Sequence, residues 1–583
     1  MNKSCGKVAH ALPRLSTLAL ALASVTIIPA QAFQFGGSND FSGSLDTTVS
    51  YGTRWRMQDR DQSIIGIANG GTAYSVNGDD GNLNYDKGLV SNAITITPEL
   101  LLQYKNIGTF IRGTYFYDFE LMDNDTARTP LSQDALDEAG EKAELLDAYV
   151  FGQWDINDKP LDVRIGNQVL NWGESTFIQG GMNSINPVNV NLLRVPGASL
   201  REALKPVPRL WASLGATDAV SLEAFYQTNW KETIIDPVGT YFSTSDLAGA
   251  GAEKVVLGFG SAPDNPAFPT TAVPKGETQE AEDGGEYGLA LNYLTEGATE
   301  YGLYFTNYHS RLPVISARTG TVQGALGGDY PASARYFIEY PEDIKILGGS
   351  FNTDLGSSGV SLQGELSYKF DAPLQIDDTE LLLAALTPVV PQLGAVNQVG
   401  SFGFDEEITG YEKLDVMQFQ TTMTQVFPDI MGADQLAVVG EFGITQVIDM
   451  PSYQELRFEG PGTYTTGNPL ATAAGAQPAT EKPEGFATAT SMGYRILGRW
   501  KYNNAFSSIN LNPRLAWSHD FSGTSPGPGG NFIDGRKAVS IGLEGVYQNT
   551  WSADLAYTRF MGAGRYNLLN DRDFVGFNIK ASF

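Results

Sequence analysis

Cysteine, histidine and positive charge are scarce in this chain. The single cysteine, Cys5, precedes the first apolar run, so we expect neither disulfides nor thiol chemistry in the rest of the protein. Residues 33–583 contain 35 basic and 66 acidic residues, a formal charge of −31. Phosphate repels such a surface, and we therefore expect no nucleic-acid partner.

Long hydrophobic runs are also missing. Beyond residue 32 no apolar stretch is long enough for a membrane-spanning helix. This does not exclude an outer-membrane barrel, because only every second residue of a barrel strand faces lipid.

The first 32 residues have the features of a secretory signal peptide. Lys3, Lys7 and Arg14 form a basic start, an apolar run covers 15–28, and Ala30-Gln31-Ala32 is a small-residue cleavage site. We predict cleavage near Ala32/Phe33. The alternative is an uncleaved anchor, for which the run is short.

The last ten residues, 574–583, predict a barrel strand. Val575, Phe577, Ile579, Ala581 and Phe583 share one face, and polar or small residues share the other. An aromatic last residue facing outward is typical of the strand that closes an outer-membrane barrel. We therefore expect outer-membrane lipid around the protein, and Phe583 as the signal read by the barrel assembly machinery.

The same period-two pattern recurs along the chain, for example at Ala219–Lys231, Glu286–Leu294 and Val360–Lys369, with short turns and long polar connections in strict alternation. Eight short turns and nine long connections predict an all-β, antiparallel transmembrane barrel of 18 strands over 33–583, with 16 as the alternative count. The first strand is predicted at Phe41–Met57, which leaves no room for a plug domain before it.

The connection around 171–209 is unusual because it is net positive. It contains Trp172 and Glu174, and its basic residues are Arg194, Arg201, Lys205 and Arg209. One interpretation is a loop folded inward that narrows the lumen and lines the path with basic groups. The other is an ordinary extracellular loop whose basic residues pair with acidic neighbours. Ser199 and Glu202 form a capping-box pattern, which predicts a short helix here.

A second unusual connection contains a short apolar helix. Acidic residues from Asp377 to Glu380 favour a helix start, and the apolar residues that follow include Leu381, Leu382, Leu383 and Leu386. The leucines either capture a greasy ligand or pack against other loops to order them.

Catalytic signals are weak. His309 adjoins Ser310 and His519 adjoins Asp520, each predicted to follow a strand at the extracellular rim. No nucleophile elbow and no zinc-ligand spacing supports an enzyme. The acidic segment around 118–144 lacks calcium-loop spacing, and a solvated surface is the simpler interpretation. We therefore predict no catalytic residue, no metal and no cofactor.

Several short motifs resemble a proteobacterial outer-membrane family known as a domain of unknown function. They are Phe35-Gly36, Arg164–Gln168, Trp172–Ser175, Asn186-Pro187, Arg194–Gly197, Trp230-Lys231 and Asn570–Phe574. The resemblance covers essentially all of 33–583. It implies traffic of a hydrophobic compound, with a periplasmic lipid carrier and an inner-membrane exporter as companions, and it supplies no catalytic residues.

These observations favour a barrel that passes a hydrophobic or amphipathic compound across the outer membrane under the control of the 171–209 segment. A general diffusion porin is the first alternative, and a rim-located hydrolase is the second.

Overall fold

The computed structural model describes residues 33–38, 40–264 and 271–583. The predicted signal peptide, 1–32, lies outside the described residues. The bounds of the strands are β1 Phe33–Ser38, β2 Phe41–Arg56, β3 Gly88–Tyr104, β4 Ile107–Asp118, β5 Glu141–Asp155, β6 Pro160–Gln168, β7 Val207–Gly215, β8 Val220–Gln227, β9 Lys254–Val256, β10 Ala272–Pro274, β11 Glu286–Leu294, β12 Glu300–Tyr308, β13 Val314–Arg318, β14 Arg335–Glu339, β15 Ile344–Asp354, β16 Val360–Gln375, β17 Glu407–Ile408, β18 Tyr411–Ile430, β19 Ala433–Val447, β20 Thr490–Phe506, β21 Ile509–Ser522, β22 Lys537–Tyr547, β23 Trp551–Met561 and β24 Phe574–Ser582.

The α-helices are short and lie in the connections. They are α1 Asp80–Leu83, α2 Phe119–Asp123, α3 Gln133–Ala139, α4 Val190–Arg194, α5 Leu200–Ala203, α6 Val322–Gly327, α7 Tyr330–Ser333, α8 Asp378–Ala385 and α9 Pro469–Ala473. In the part of the chain that the structure describes, no helix has the length and apolar character needed to cross a bilayer.

Eighteen of the strands close into one antiparallel barrel. The order runs from β2 to β8, continues through β11, β12, β15, β16 and β18, and ends with β19 to β24. The last strand pairs with the first, from Thr48 opposite Ser582 to Arg56 opposite Phe574. The predicted count of 18 and the predicted closing pair are confirmed. Closure leaves no barrel strand with an unpaired edge. This matters because an unpaired backbone group in hydrocarbon costs several kcal/mol.

The start of the barrel differs from the sequence prediction. A short strand, β1, precedes the predicted first strand and pairs with it, from Phe33 opposite Leu45 to Ser38 opposite Phe41. It lies there because β24 ends opposite Thr48, which leaves the first residues of β2 without a neighbour on that side.

Strand ends are the other point of difference. The strand predicted at 219–231 ends at Gln227. In contrast, β16 continues past Lys369 to Gln375, because a bulge at Asp371, whose φ is +56°, lets the pairing with β18 resume.

The outer surface of the barrel is apolar. Leu289, Leu303 and Leu347, on three neighbouring strands, are each more than half exposed, and Ile541 and Leu555 repeat this on other strands. Exposed apolar surface of this extent on a closed barrel is the lipid-facing belt of an outer-membrane protein.

Turns and long connections lie at opposite ends of the barrel. At the turn end, Asn157 and Asp158 both have positive φ, and Ile156 and Lys159 exchange backbone hydrogen bonds of 2.9 and 3.2 Å. These are the features of a type I′ turn, whose twist matches that of the flanking strands. The predicted strict alternation is therefore confirmed.

The long connections carry secondary structure of their own. β9 pairs with β10, and β13 pairs with both β14 and β17. Gln375, at the end of β16, donates its side-chain amide to the backbone carbonyls of Ile315 and Gly410, which fixes the second of these sheets to the barrel.

Candidate functional site: an inward loop and an apolar pocket

The 171–209 segment is held by side chains of the inner barrel wall. Glu365 of β16 accepts the backbone N–H of Glu174 at 2.6 Å and that of Met182 at 3.1 Å. One buried carboxylate therefore gathers both ends of the turn formed by 174–182. Gly181 must be small, because a Cβ there would meet the Glu365 side chain.

A second wall carboxylate holds the tip of that turn. Glu441 of β19 accepts the backbone N–H groups of Thr176, Phe177 and Ile178 at 2.8, 2.6 and 2.7 Å. Three successive N–H groups converging on one carboxylate form an anion-binding arrangement of the backbone. Both glutamates are 2% exposed, so these bonds are shielded from water.

Neighbouring amides complete the attachment. Gln418 and Asn531 both donate to the backbone carbonyl of Gln179 at 2.7 Å. The carboxylate of Glu174 accepts from Asn352 at 3.3 Å, two residues before β15 ends at the turn side. The segment therefore reaches through almost the full depth of this side of the barrel.

Trp172 lies at the base of the segment. Its indole Nε1 donates to Glu223 at 2.9 Å, and its ring lies 5.1 Å from that of Phe225 and 5.8 Å from that of Tyr304. Trp211 donates to the same carboxylate at 3.1 Å. Burial of an aromatic ring with its N–H satisfied makes this a firm attachment point.

Arg209 lies on β7, is 2% exposed and holds the middle of the segment against the wall. It donates to Gln227 at 3.0 Å, to Asn186 at 2.8 Å and to the backbone carbonyl of Ile185. A planar guanidinium presents five donors in a rigid fork, whereas a lysine ammonium has three on a flexible stem, so arginine suits this set of fixed acceptors.

The other basic residues of the segment attach its second half to the opposite wall. Arg201 pairs with Glu99 of β3 at 3.0 Å, and Lys205 pairs with Glu144 of β5 at 3.2 Å. Arg194 pairs with Asp236 at 3.4 Å, and its own carbonyl accepts from Arg54 of β2. These cations are engaged with partners and serve as anchors.

The capping box predicted at the start of α5 is present. Glu202 accepts the backbone N–H of Ser199 at 2.6 Å and also the hydroxyl of Thr97 on the wall at 2.8 Å. The same local signal therefore shapes the helix and attaches it to β3.

The wall formed by β20 to β23 is left uncovered by polar contacts with the segment. Among the described residues, no hydrogen bond or ion pair joins the 171–209 segment to β20, β21, β22 or β23. The inner face there carries cross-strand pairs, Arg499 with Glu544 and Arg514 with Asp554. A passage through the barrel would run along this charged wall.

A pocket of about 120 Å³ lies among the long connections, and most of its lining is apolar. Phe259, Ile315, Leu381 and Leu382 contribute to it, together with Tyr336. The Tyr336 side chain is buried and its hydroxyl has no hydrogen-bond partner. The pocket therefore combines apolar walls with an unsatisfied polar group.

The four leucines of the predicted capture helix divide into two pairs. Leu381 and Leu382 line the pocket. Leu383 and Leu386 instead pack against Leu393, Val396 and Ala471 in a cluster that orders the loops. Loop packing is therefore observed for one pair of leucines, and the other pair borders the pocket.

Among the described residues, neither the His309 ring nor the His519 ring is hydrogen-bonded to a serine or a carboxylate. His309 bonds through Nε2 to the carbonyl of Gly284 at 2.9 Å, and its Nδ1 accepts the backbone N–H of Asp343 at 3.1 Å. His519 lies within β21 rather than after it, among Trp517, Tyr494 and Phe521. Its neighbour Asp520 is on the other face of the strand.

Glu365 and Glu441 are the main site residues that the sequence did not single out. Each is a lone carboxylate on the inner face of a strand whose outer face is apolar. That pattern is a signal of an inward anchor, but it does not reveal which loop the carboxylate holds.

The family model described as "Protein of unknown function (DUF1302)" matches residues 14–583. The chain belongs to this family. The resemblance found in the sequence is thereby confirmed over nearly the whole chain. No curated protein matches the DUF1302 chain.

Solved outer-membrane proteins are similar to it at low identity. OccAB3 of Acinetobacter baumannii has 8% identity and a TM-score of 0.41, covering 93% of this chain and 99% of its own. OccK2 (OpdF) of Pseudomonas aeruginosa, crystallised with glucuronate, has 9% identity and a TM-score of 0.36, covering 93% and 97%. A BenF-like porin of Pseudomonas fluorescens Pf-5 has 9% identity and a TM-score of 0.39, covering 93% and 98%. The barrel fold of the DUF1302 chain is assigned from the strand pairing described above, and not from these similarities.

Proposed function

We propose that this protein is an outer-membrane channel for a hydrophobic or amphipathic compound, with the 171–209 segment as its constriction. The observation that carries the proposal is the attachment of 174–182 to Glu365 and Glu441. Both carboxylates lie on the wall, and both bind backbone, so the attachment does not depend on the side chains of the segment. The turn 174–182 can therefore detach from the two wall carboxylates as one unit.

The size of the apolar pocket limits what it can hold. An apolar cavity of about 150 Å³ binds benzene, and this pocket measures about 120 Å³. It therefore suits one ring or a short alkyl portion of a larger molecule. The unpartnered hydroxyl of Tyr336 supports an amphipathic ligand with a hydrogen-bonding group close to its apolar end.

We further propose that the compound is exchanged with a periplasmic lipid carrier that works with an inner-membrane exporter. This partnership rests on the family resemblance. The turn end of the barrel, toward which β24 runs and from which β2 starts, is the end that would meet such a carrier.

A general diffusion porin is the second candidate. The charged pairs on β20 to β23 favour it, because a wall of this kind suits water and ions. The two candidates differ in conductance, since a diffusion porin conducts steadily in its native form.

Excision of the turn tests the proposal. Because Glu174 and Met182 bind the same carboxylate, a Gly-Ser-Gly linker can replace 175–181 without moving the rest of the segment. In planar bilayers we expect low conductance from the native protein and a several-fold larger, steady conductance after excision. The same exchange at 323–329, an exposed stretch around α6, is the matched control and should leave conductance low.

Two outcomes would contradict the constriction. The first is high, steady conductance in the native protein, which would favour the diffusion porin. The second is equal conductance before and after excision. Heat-dependent migration in gel electrophoresis would verify that each variant is a folded barrel.

A further inference from the structure

Three carboxylates from two connections converge beside the apolar pocket. Asp377 and Asp378 lie at the start of α8, and Glu459 lies in the connection between β19 and β20. One oxygen of each lies within 4.8 Å of those of the other two. The two chain segments run side by side here, with Asp377 N–H donating to the carbonyl of Arg457 at 3.0 Å.

One of the three carboxylates is buried and incompletely bonded. The Asp377 side chain is fully buried, and its Oδ2 has no hydrogen-bond partner. Its other oxygen accepts only a long bond, 3.3 Å, from the N–H of Thr379. A buried carboxylate oxygen without a donor is costly, so the Asp377 carboxylate must either take up a proton or have a positively charged partner.

No side chain supplies that charge. Within 40–264 and 271–583, no lysine or arginine nitrogen lies within 4.0 Å of any of the three carboxylates. The nearby arginines are engaged elsewhere, Arg457 with Glu380 at 2.9 Å and Arg565 with Glu481.

In a second acidic cluster of this protein, the negative charge is compensated by an arginine. Asp79, Asp80 and Asp264 also converge, but Arg128 lies among them, 2.9 Å from Asp80 and paired with Asp264. The guanidinium takes the place that a metal ion would otherwise fill. The cluster at Asp377 also contains three carboxylates, and no described lysine or arginine lies among them.

We propose that Asp377, Asp378 and Glu459 bind one divalent cation of the calcium type. Calcium takes oxygen ligands at 2.3–2.6 Å, so oxygens on opposite sides of one ion lie up to about 5 Å apart. Magnesium holds its ligands at about 2.0–2.1 Å and prefers to keep water, which suits this spread less well. The sequence had indicated no metal, because the ligands lie 81 positions apart and form no calcium-loop motif.

The ion would join two connections at the pocket wall. Asp378 and Thr379 line the pocket with Leu381 and Leu382, and Glu459 already accepts the backbone N–H of Asp378 at 2.9 Å. A bound cation would hold α8 against the 448–489 connection and keep both leucines in place. This inference stands apart from the transport proposal, because it concerns binding of the ion alone.

Calorimetric titration of CaCl₂ into the full-length barrel in detergent tests it. We expect one site per chain with an affinity on the order of 0.1–1 mM, the range of extracellular calcium modules, and weaker binding of MgCl₂. Asp378→Asn and Glu459→Gln should each weaken calcium binding at least tenfold. Glu484→Gln, an exposed carboxylate of the same connection as Glu459, is the matched control and should bind like the native protein.

Two results would overturn the site. One is native protein that gives no saturable calcium heat up to 10 mM CaCl₂, on the order of ten times the weakest affinity expected. The other is equal calcium affinity in Glu459→Gln and Glu484→Gln. Heat-dependent gel migration, measured before each titration, verifies that the variant is a folded barrel, so that lost calcium binding reports on the site. Asp378→Glu keeps the negative charge and should retain measurable calcium binding.

Discussion

Glu441 on the barrel wall accepts the backbone N–H of Ile178 at 2.7 Å, although 263 positions separate the two residues. This hydrogen bond joins a strand to a loop. The sequence pattern predicts the position of the strand, but it does not predict the course of the loop. Together with Glu365, Glu441 turns the third long connection inward. The lumen of this barrel is thus shaped by carboxylates that bind backbone.

Removal of one wall carboxylate should loosen the constriction. Glu441→Ala removes the carboxylate that accepts three backbone N–H bonds from 176–178, and each bond to a charged group contributes about 1.5–3 kcal/mol. Even one such loss shifts the ratio of attached to released segment roughly tenfold to a hundredfold. Single-channel recording should show a larger open fraction. Glu544→Ala, on the uncovered wall, should change ion selectivity and leave the open fraction as it is.

The leucines of α8 provide a matched pair for the pocket. Leu382→Gln places a polar group in the lining and should weaken binding of a small apolar fluorescent probe several-fold. Leu383→Ala should leave probe binding nearly unchanged but lower stability, because truncating a buried leucine costs about 2–5 kcal/mol. Probe titration and denaturant midpoints separate the two effects. Equal loss of probe binding in both variants would contradict the assignment of the pocket.

Calcium binding should weaken in acid. Burial raises the pKa of Asp378 from 3.8 to about 6, and burial together with like charge raises those of Asp377 and Glu459. Protons therefore compete with calcium, and its affinity should fall as pH drops through about 6. The other charged groups facing the cluster are Glu380 and Glu481, which pair with Arg457 and Arg565.

Without calcium, lowering the pH should stabilise the region around Asp378, whereas in the presence of calcium lowering the pH weakens binding of the ion. A carboxyl whose pKa is higher in the folded protein contributes stability below its unfolded pKa and loses that contribution as pH rises through its folded pKa. For Asp378 the loss falls between about pH 4 and 6. Chelated protein should therefore be less stable at pH 7 than at pH 5 in this region, and added calcium should restore stability at pH 7. Hydrogen exchange in 376–386 measures both changes.

The last residue should matter for assembly in cells more than for stability. Phe583 exchanges backbone hydrogen bonds of 2.6 and 3.0 Å with Thr47, which Phe583→Ala keeps. We expect the variant to refold normally in detergent but to reach the outer membrane in several-fold smaller amounts, as measured by membrane fractionation. Phe506→Ala, at a more exposed phenylalanine on the turn side, should assemble like the native chain.

The sequence predicted the barrel better than its site. Strand number and closure follow from alternation, as in β11, whose predicted bounds Glu286–Leu294 are the observed ones. The sequence singled out the basic residues of the 171–209 segment and left open whether they line a path or pair with acidic residues, and in the structure Arg201 and Lys205 are paired. Their partners, Glu99 and Glu144, precede them by 102 and 61 positions, and no local pattern connects such residues.

The sequence by itself determined the barrel wall of this protein. A period of two, short turns and a closing strand are local properties, and one-sided burial in lipid forces them into a single barrel. Only the tertiary structure decided what fills the barrel and covers it. The inward loop, the pocket and the carboxylates at Asp377 and Glu459 depend on which distant groups meet in space, and hydrogen bonds between loops follow no period.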